Sequence, residues 1–365
     1  MSLLTPMAAA LTIFVGTYTP QDGASRGIYA VELDPATGAF GAPRLAAATP
    51  NPTFLAWHPS HRALYALGVG PDATGQSTGG AVAFAYDATT RQLSPLNARG
   101  AGSSLMAHVA VDATGRLLVT ASYHGGFLAT FPVGADLKLG ERTGLLPTTG
   151  VLGPKTARQD KPHPHSVTFS PDNRFAYVCD LGLDRVFIYA VDPAHATLTP
   201  AGACATAHGA GPRHSKISAD GRFLYVIDEL GSTVTVFARD AASGALRALQ
   251  EISTLPADFK GESICAEIRL HPNGRFAYGS NRGHDSLAVF ARDPERGTLA
   301  LVQILPCGGK HPRNFALSPD GRWLVCANRD SDNLVSFAVD AATGRLTPTG
   351  HVATVPQAVC VLFAE

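Results

Sequence analysis

Charge is scarce in this chain. Only 16% of its 365 residues are charged, against ~25% in average globular proteins. The 29 basic side chains balance the 29 acidic ones to a formal charge of zero. That balance leaves no basic excess to neutralise a phosphate backbone, which argues against a nucleic-acid partner. It also leaves no polybasic segment for an anionic membrane surface, and no apolar run approaches the ~18 residues that span a bilayer. Low-complexity tracts are missing while 45% of residues are hydrophobic, so disorder is excluded. Tryptophan occurs twice, as Trp57 and Trp323, and the GH…WD signature of WD-type repeats is missing. The six cysteines (Cys179, Cys204, Cys265, Cys307, Cys326, Cys360) form no C-x-x-C pair, and several sit inside apolar runs. Reduced, buried thiols in a cytoplasmic protein are therefore expected rather than a disulfide framework. There is no G-x-S-x-G elbow and no P-loop. No set of His, Cys and Asp has a sharp metal-ligand spacing, so neither a metal nor a cofactor is expected.

What the chain has in quantity is a repeat. An apolar strand, a Pro/Asp/Asn/Gly turn ending in Arg, and a second apolar strand recur six times. The units are AWHPSHRALYAL (56–67), VAVDATGRLLVTA (109–121), VTFSPDNRFAYVC (167–179), KISADGRFLYVI (216–227), IRLHPNGRFAYGS (268–280) and FALSPDGRWLVCA (315–327). Their turn arginines are Arg62, Arg116, Arg174, Arg222, Arg275 and Arg322, and a structural role is expected for them. A third apolar strand and a more polar fourth follow each unit. Asp-Gly and Asn-Gly supply the positive-φ residues of hairpins, and helical periodicity is nearly missing. Four antiparallel strands repeated at roughly 50-residue intervals predict an all-β propeller. Six full units run from about 51 to 350. The segment from Leu11 to Pro43 lacks an innermost strand, and the apolar stretch 357–365 lacks a partner. Together they predict a seventh blade closed by strands from both termini, which removes the open edge of a ring; a six-bladed ring with ragged ends is the alternative. Residues 1–10 are expected to be a flexible lead-in, and 11–365 a single propeller domain. The Pro/Gly-rich stretch 145–164 reads as an insertion between blades.

In a four-stranded blade the start of the first strand and the end of the second lie at the same mouth of the axial channel. Polar residues recur at those two places. Before first strands come His108, His163 and His165, Arg213 and His214, Glu267, and Arg313. After second strands come Tyr123 and His124, Asp180, Asp228 and Glu229, Asn281 and Arg282, and Asn328 and Arg329. Singly, each has an ordinary explanation: a histidine bonds a loop carbonyl, Asp and Asn cap turns, and Arg282 or Arg329 pairs with a neighbouring aspartate. His58, His271 and His311 read as loop residues. The coincidence across blades is what predicts a cationic funnel for an anionic small molecule.

These motifs carry a resemblance. HPHSVTFSPDNRFAYVCDLGLDRVFIY (163–189), GPRHSKISADGRFLYVIDELGSTVTVF, AEIRLHPNGRFAYGSNRGHDSLAVF and HPRNFALSPDGRWLVCANRDSDNLVSF resemble the seven-bladed-propeller lactonase family, as do GTYT, ASYHGG and NPTFLAWHP. Its members include propeller-type 6-phosphogluconolactonases and the fungal 3-carboxy-cis,cis-muconate lactonizing enzyme. The resemblance covers the chain from about Leu11. It implies a functional set of His165, Arg213, Glu229 and Arg282; the strand-end positions themselves add His108, His124, His163, Glu267, Asn281, Arg313 and Arg329 as expected substrate-binding residues. The chain departs from the pattern at Arg329, where many relatives carry Gln, and in the YALGVG end of the first full blade.

Three functions remain in play. The first is hydrolysis of 6-phosphogluconolactone or a related anionic sugar lactone, with arginines on the anion and His165 and Glu229 sharing the proton transfers in either order. The second is a carboxymuconate-type cyclase. The third is a non-catalytic propeller that binds a partner through its faces. A closed ring has no free strand edge, so a monomer is expected.

Overall fold

A computed structural model describes residues 9–364. The chain forms 28 strands and, among the described residues, no helix. The strands make seven four-stranded antiparallel sheets arranged as the blades of a propeller. Most of the expected lead-in, residues 1–8, lies outside the described residues.

The closing blade takes its innermost strand, Ala358–Phe363, from the C-terminal end and the other three, Leu11–Thr17, Gly27–Leu33 and Arg44–Ala48, from the N-terminal end. Val15 pairs with Val361 across the join. The six remaining blades follow in chain order, their inner strands being Leu55–Trp57, His108–Val111, Pro164–Phe169, Pro212–Ile217, Ile264–Leu270 and Pro312–Leu317. The stretch 145–164 is only partly an insertion, since Gly144–Pro147 forms the outer strand of its blade and a loop follows.

The repeat exists because each unit solves the same packing problem. The position before the turn arginine needs a left-handed backbone. Gly115, Gly221, Gly274 and Gly321 supply it with φ of 70–72°, and Asn173 and His61 do so at 55° and 53°. The aromatic residue of the second strand then ties one blade to the next. The hydroxyls of Tyr65, Tyr177, Tyr225 and Tyr278 donate to the carbonyls of Leu137, Gly244, Gly297 and Gly344 in the outer turn of the following blade, at 2.8–3.0 Å. Arg174, Arg222 and Arg275 add bonds to backbone carbonyls of the same neighbouring turns. Arg62 and Arg116 instead line a shallow groove on that face with His58 and His195. Between the blades, apolar side chains pack in clusters that continue around the ring. Five of the six cysteines are buried and all six are free thiols, with burial pushing every thiol pKa upward. No helix among the described residues is long and apolar enough to cross a membrane.

Candidate active site

Irregularities in strand pairing build the mouth. A proline begins the inner strand at Pro164, Pro212 and Pro312, and one extra residue follows it: Pro164 pairs with Asp180 but Ser166 with Cys179, Pro212 with Asp228 but His214 with Ile227, and Pro312 with Asn328 but Asn314 with Ala327. The unpaired residues are His165, Arg213 and Arg313. A bulge bends its strand and re-aims a side chain, and all three side chains line one pocket. Glu229 directly follows the second strand Phe223–Asp228, and Arg282 ends the second strand Phe276–Arg282. Both line the same pocket, as do Tyr18, Phe54, Tyr123, His124, Arg158 and His214. Its volume is about 290 Å³, near the low end of small-molecule sites.

Glu229 is the hub. It is 2% exposed and meets three guanidinium groups: Arg213 Nε at 2.9 Å, Arg282 Nη2 at 2.8 Å, and Arg158 Nη2 on its other oxygen. Burial alone would raise its pKa, but Arg282, then Arg213, His165 and Arg158, hold it well below the usual carboxylate range. Arg213 and Arg282 also donate to the backbone carbonyls of Ala266 and Cys265. Burial works against the charge on both arginines, yet a guanidinium stays protonated in a protein.

His165 stands apart. It is 6% exposed, and among the described residues neither ring nitrogen has a hydrogen-bond partner. Its Nδ1 is enclosed, which leaves Nε2 as the nitrogen open to the pocket. Burial, then Arg213 and His214, push its pKa well below 6.5, and Glu229 opposes them only in part. The ring is therefore neutral at physiological pH. Tyr123 lies edge-on to it, with centroids 5.6 Å apart, and is stacked on His163 at 4.1 Å.

One layer deeper, His214 Nδ1 lies 3.1 Å from Glu267 Oε2, and Arg213 Nη1 lies 3.2 Å from His214 Nε2. A guanidinium only donates, so Nε2 accepts and Nδ1 carries the proton to Glu267. Asn314 donates to the same carboxylate oxygen. This chain fixes Arg213 from behind. His108 packs at the same level, against Phe54 and His214. Farther along the inner strands, burial and then Arg269 bring the Lys216 ammonium down to about 8.

The site residues expected from sequence thus divide by position. His165, Arg213, Glu229, Arg282, His124 and Arg313 meet at the pocket. Glu267 and His108 lie beneath it. His163 is committed to Tyr123 O and Asp160. Asn281 is fully buried and spends its amide on Thr254 and Ser286. Arg329 pairs with Asp330 at 2.6 Å and does not line the pocket.

The family model described as "Lactonase, 7-bladed beta-propeller" matches residues 12–363. The chain belongs to the seven-bladed β-propeller lactonase family. Among its relatives is the 6-phosphogluconolactonase of Bacillus subtilis (strain 168), 37% identical over 350 residues that cover 96% of this chain and 97% of that one. Among solved structures, the periplasmic gluconolactonase of Pseudomonas aeruginosa is similar with a TM-score of 0.90 at 33% identity, covering 98% of this chain and 99% of that one. A putative 6-phosphogluconolactonase from Bacteroides fragilis NCTC 9343 gives 0.89 at 31% identity, covering 99% of each chain.

Arg158 is the one cation of this lactonase-family mouth that sequence reasoning missed. It comes from the loop after Gly144–Pro147, which offers no strand periodicity to place it. Its only sequence signal is a cation in RQDKPHPH, just ahead of His163 and His165.

Proposed function

We propose that this mouth hydrolyses the ring ester of a phosphorylated sugar lactone, 6-phosphogluconolactone, to 6-phosphogluconate. The observation that carries the reading is a neutral, unpartnered His165 beside two arginines fixed on a buried carboxylate, in a pocket where four guanidinium groups face one carboxylate among the described residues. In this reading His165 Nε2 takes a proton from water as its oxygen attacks the lactone carbonyl. Arg213 and Arg282, already oriented by Glu229, stabilise the oxyanion that forms. The ring C–O bond then breaks, and the imidazolium returns its proton to the leaving ring oxygen. Water is consumed, and the carboxylic acid formed loses its proton to solvent. Glu229 is a poor proton acceptor here, because both oxygens are occupied and its conjugate acid is strong. It acts by holding the arginines.

The name of the Bacillus relative supports the phosphorylated substrate, whereas the Pseudomonas neighbour is named for an unphosphorylated one. A monomer in the cytoplasm completes the reading. The test is proton release by the purified protein on 6-phosphoglucono-δ-lactone, glucono-δ-lactone and carboxymuconate. His165→Ala is expected to lower kcat on the lactone by ~10²–10⁴. No hydrolysis above the spontaneous rate by the parent refutes the proposal, and cyclisation of carboxymuconate instead assigns the site to the cyclase chemistry.

A further inference from the structure

The three bulged residues of the mouth are equivalent by position but not by partner. His165 and Arg213 are accounted for by the chemistry above. Arg313 occupies the same place on the last blade before the closing one, after Pro312, and also lines the pocket. Among the described residues it has no carboxylate and no hydrogen bond. Its guanidinium carbon instead lies over the ring of Tyr18, 5.6 Å from the centroid. The carboxylate that shares its electrostatic surroundings, Asp330, is already taken by Arg329 at 2.6 Å and His311 at 3.3 Å.

The charges around it make this lack of a partner informative. Glu229 meets Arg158, Arg213 and Arg282 together, so the one negative charge of the pocket among the described residues is spent on the other three cations. Arg313 adds its field to theirs and works with burial against the charge on Arg213. A half-buried guanidinium held among like charges is a standing cost that a bound anion offsets. The planar group stacked on an aromatic ring is also restrained, so less side-chain freedom is lost when it binds a phosphate through two parallel N–H bonds. A phosphate monoester carries close to two negative charges at neutral pH, which suits an excess of three positive charges better than a neutral sugar does.

We propose that Arg313, seated on Tyr18, is the phosphate-binding residue that makes this site prefer a phosphorylated lactone to its neutral counterpart. The proposal rests on the lactonase reading and names the group that sets its substrate class. The arginines then differ in role: Arg213 and Arg282 serve the reacting carbonyl, and Arg313 serves the remote end of the substrate.

The experiment compares the full chain with Arg313→Ala and Arg313→Lys on 6-phosphoglucono-δ-lactone and glucono-δ-lactone. The ratio of kcat/KM for the phosphorylated over the neutral lactone is expected to fall by ~10- to 100-fold in R313A, chiefly through KM of the phosphorylated substrate. R313K is expected to recover part of the loss, since it keeps the charge without the planar fork. An unchanged ratio overturns the proposal. Calorimetric binding of 6-phosphogluconate and gluconate provides a readout without turnover. Weakening of 6-phosphogluconate alone by R313A supports the assignment, while equal weakening of both, or of neither, overturns it. A parent protein that binds 6-phosphogluconate through Arg313 but hydrolyses neither lactone refutes the lactonase reading and leaves the phosphate site standing.

Discussion

Replacing Glu229 with Gln tests the centre of the site, because the side chain keeps its shape and loses its charge. Two of its cationic partners, Arg213 and Arg282, have side chains only 3% and 5% exposed. The third, Arg158, is 41% exposed and is largely screened by solvent. E229Q therefore leaves two buried guanidinium groups facing each other across an amide, the situation in which breaking a buried ion pair costs ~3–5 kcal/mol. With an unfolding entropy of ~2.1 cal/mol/K per residue, the 365-residue chain has ~0.8 kcal/mol/K, so Tm should fall by ~4–7 °C. In the proposed mechanism the arginines also lose the anchor that aims them at the reacting carbonyl, and kcat/KM should drop by ~10²–10³. The pH dependence has a definite sign. A carboxylate whose folded pKa is depressed contributes stability that is present above its unfolded pKa and lost as pH falls through the folded value. The Tm gap between parent and variant should therefore hold through neutral pH and close only in acid, and added phosphate should narrow it by filling the cationic pocket. Calorimetric melting from pH 7 downward, with parallel lactonase assays, provides the measurement. An unchanged Tm together with unchanged turnover would refute the idea that Glu229 organises the arginines.

The same site gives further expectations. Arg158→Ala should cost at most ~1 kcal/mol of stability, because its ion pair is half exposed. It should nevertheless lower kcat/KM on an anionic lactone by ~10-fold, equivalent to one charge-assisted hydrogen bond; steady-state kinetics with no change would place Arg158 outside the binding surface. Stability should fall as pH drops below about 6.5, because His108, His165 and His214 are buried with pKa values pushed well below that of the unfolded chain, so the unfolded state binds protons that the folded state refuses. Asp228, raised to about 7 by burial, acts in the opposite sense, since its folded-state stabilisation fades as pH rises toward 7. His58, His124, His271 and His311 are shifted in the same direction, so the histidines outweigh Asp228 and stability should fall as pH drops below about 6.5, which urea unfolding at two pH values measures; a flat profile contradicts the buried neutral histidines. Finally, the acidic limb of kcat should lie at higher pH than the acidic limb of kcat/KM when the phosphorylated lactone is the substrate, and coincident limbs would contradict a bound phosphate that raises the basicity of His165.

The ring was legible in the sequence because its governing interactions are local and repeated. The turn before each arginine needs a left-handed residue, and Gly, Asn or His stands there in every unit. The closure was legible for a negative reason: a lone apolar strand at one end and a blade without its inner strand at the other have only each other. The pairing of Val15 with Val361 follows. The mouth was legible as a level, because strand ends alone decide which residues reach it. Within that level sequence could not say which side chains meet. Asn281 and Arg282 are adjacent, yet one is turned inward onto Thr254 and the other reaches Glu229. The bulges that expose His165, Arg213 and Arg313 do leave a trace, a proline directly before each, but its meaning comes from register rather than composition. Arg158 left least of all, since a long loop carries no periodicity from which to place a side chain.

The pH behaviour of His165 follows from the same charge distribution that attracts the substrate. A chain of zero net charge gathers three excess positive charges at one mouth among its described residues, and that field does two opposed things. It draws an anion in, and with burial it weakens the imidazole as a base. For a neutral lactone the second effect is uncompensated: His165 remains free of protons at pH 7 but accepts one reluctantly. A bound phosphate changes the balance, because close to two negative charges inside a desolvated pocket offset much of the arginine field. In the proposed mechanism the imidazole then regains basicity at the moment water must be deprotonated. Since kcat reports the substrate complex and kcat/KM the free protein, the two profiles should separate in acid for the phosphorylated substrate and draw together for the neutral one. The phosphate is then more than a handle for binding: it tunes the base that deprotonates the attacking water at the far end of its own molecule.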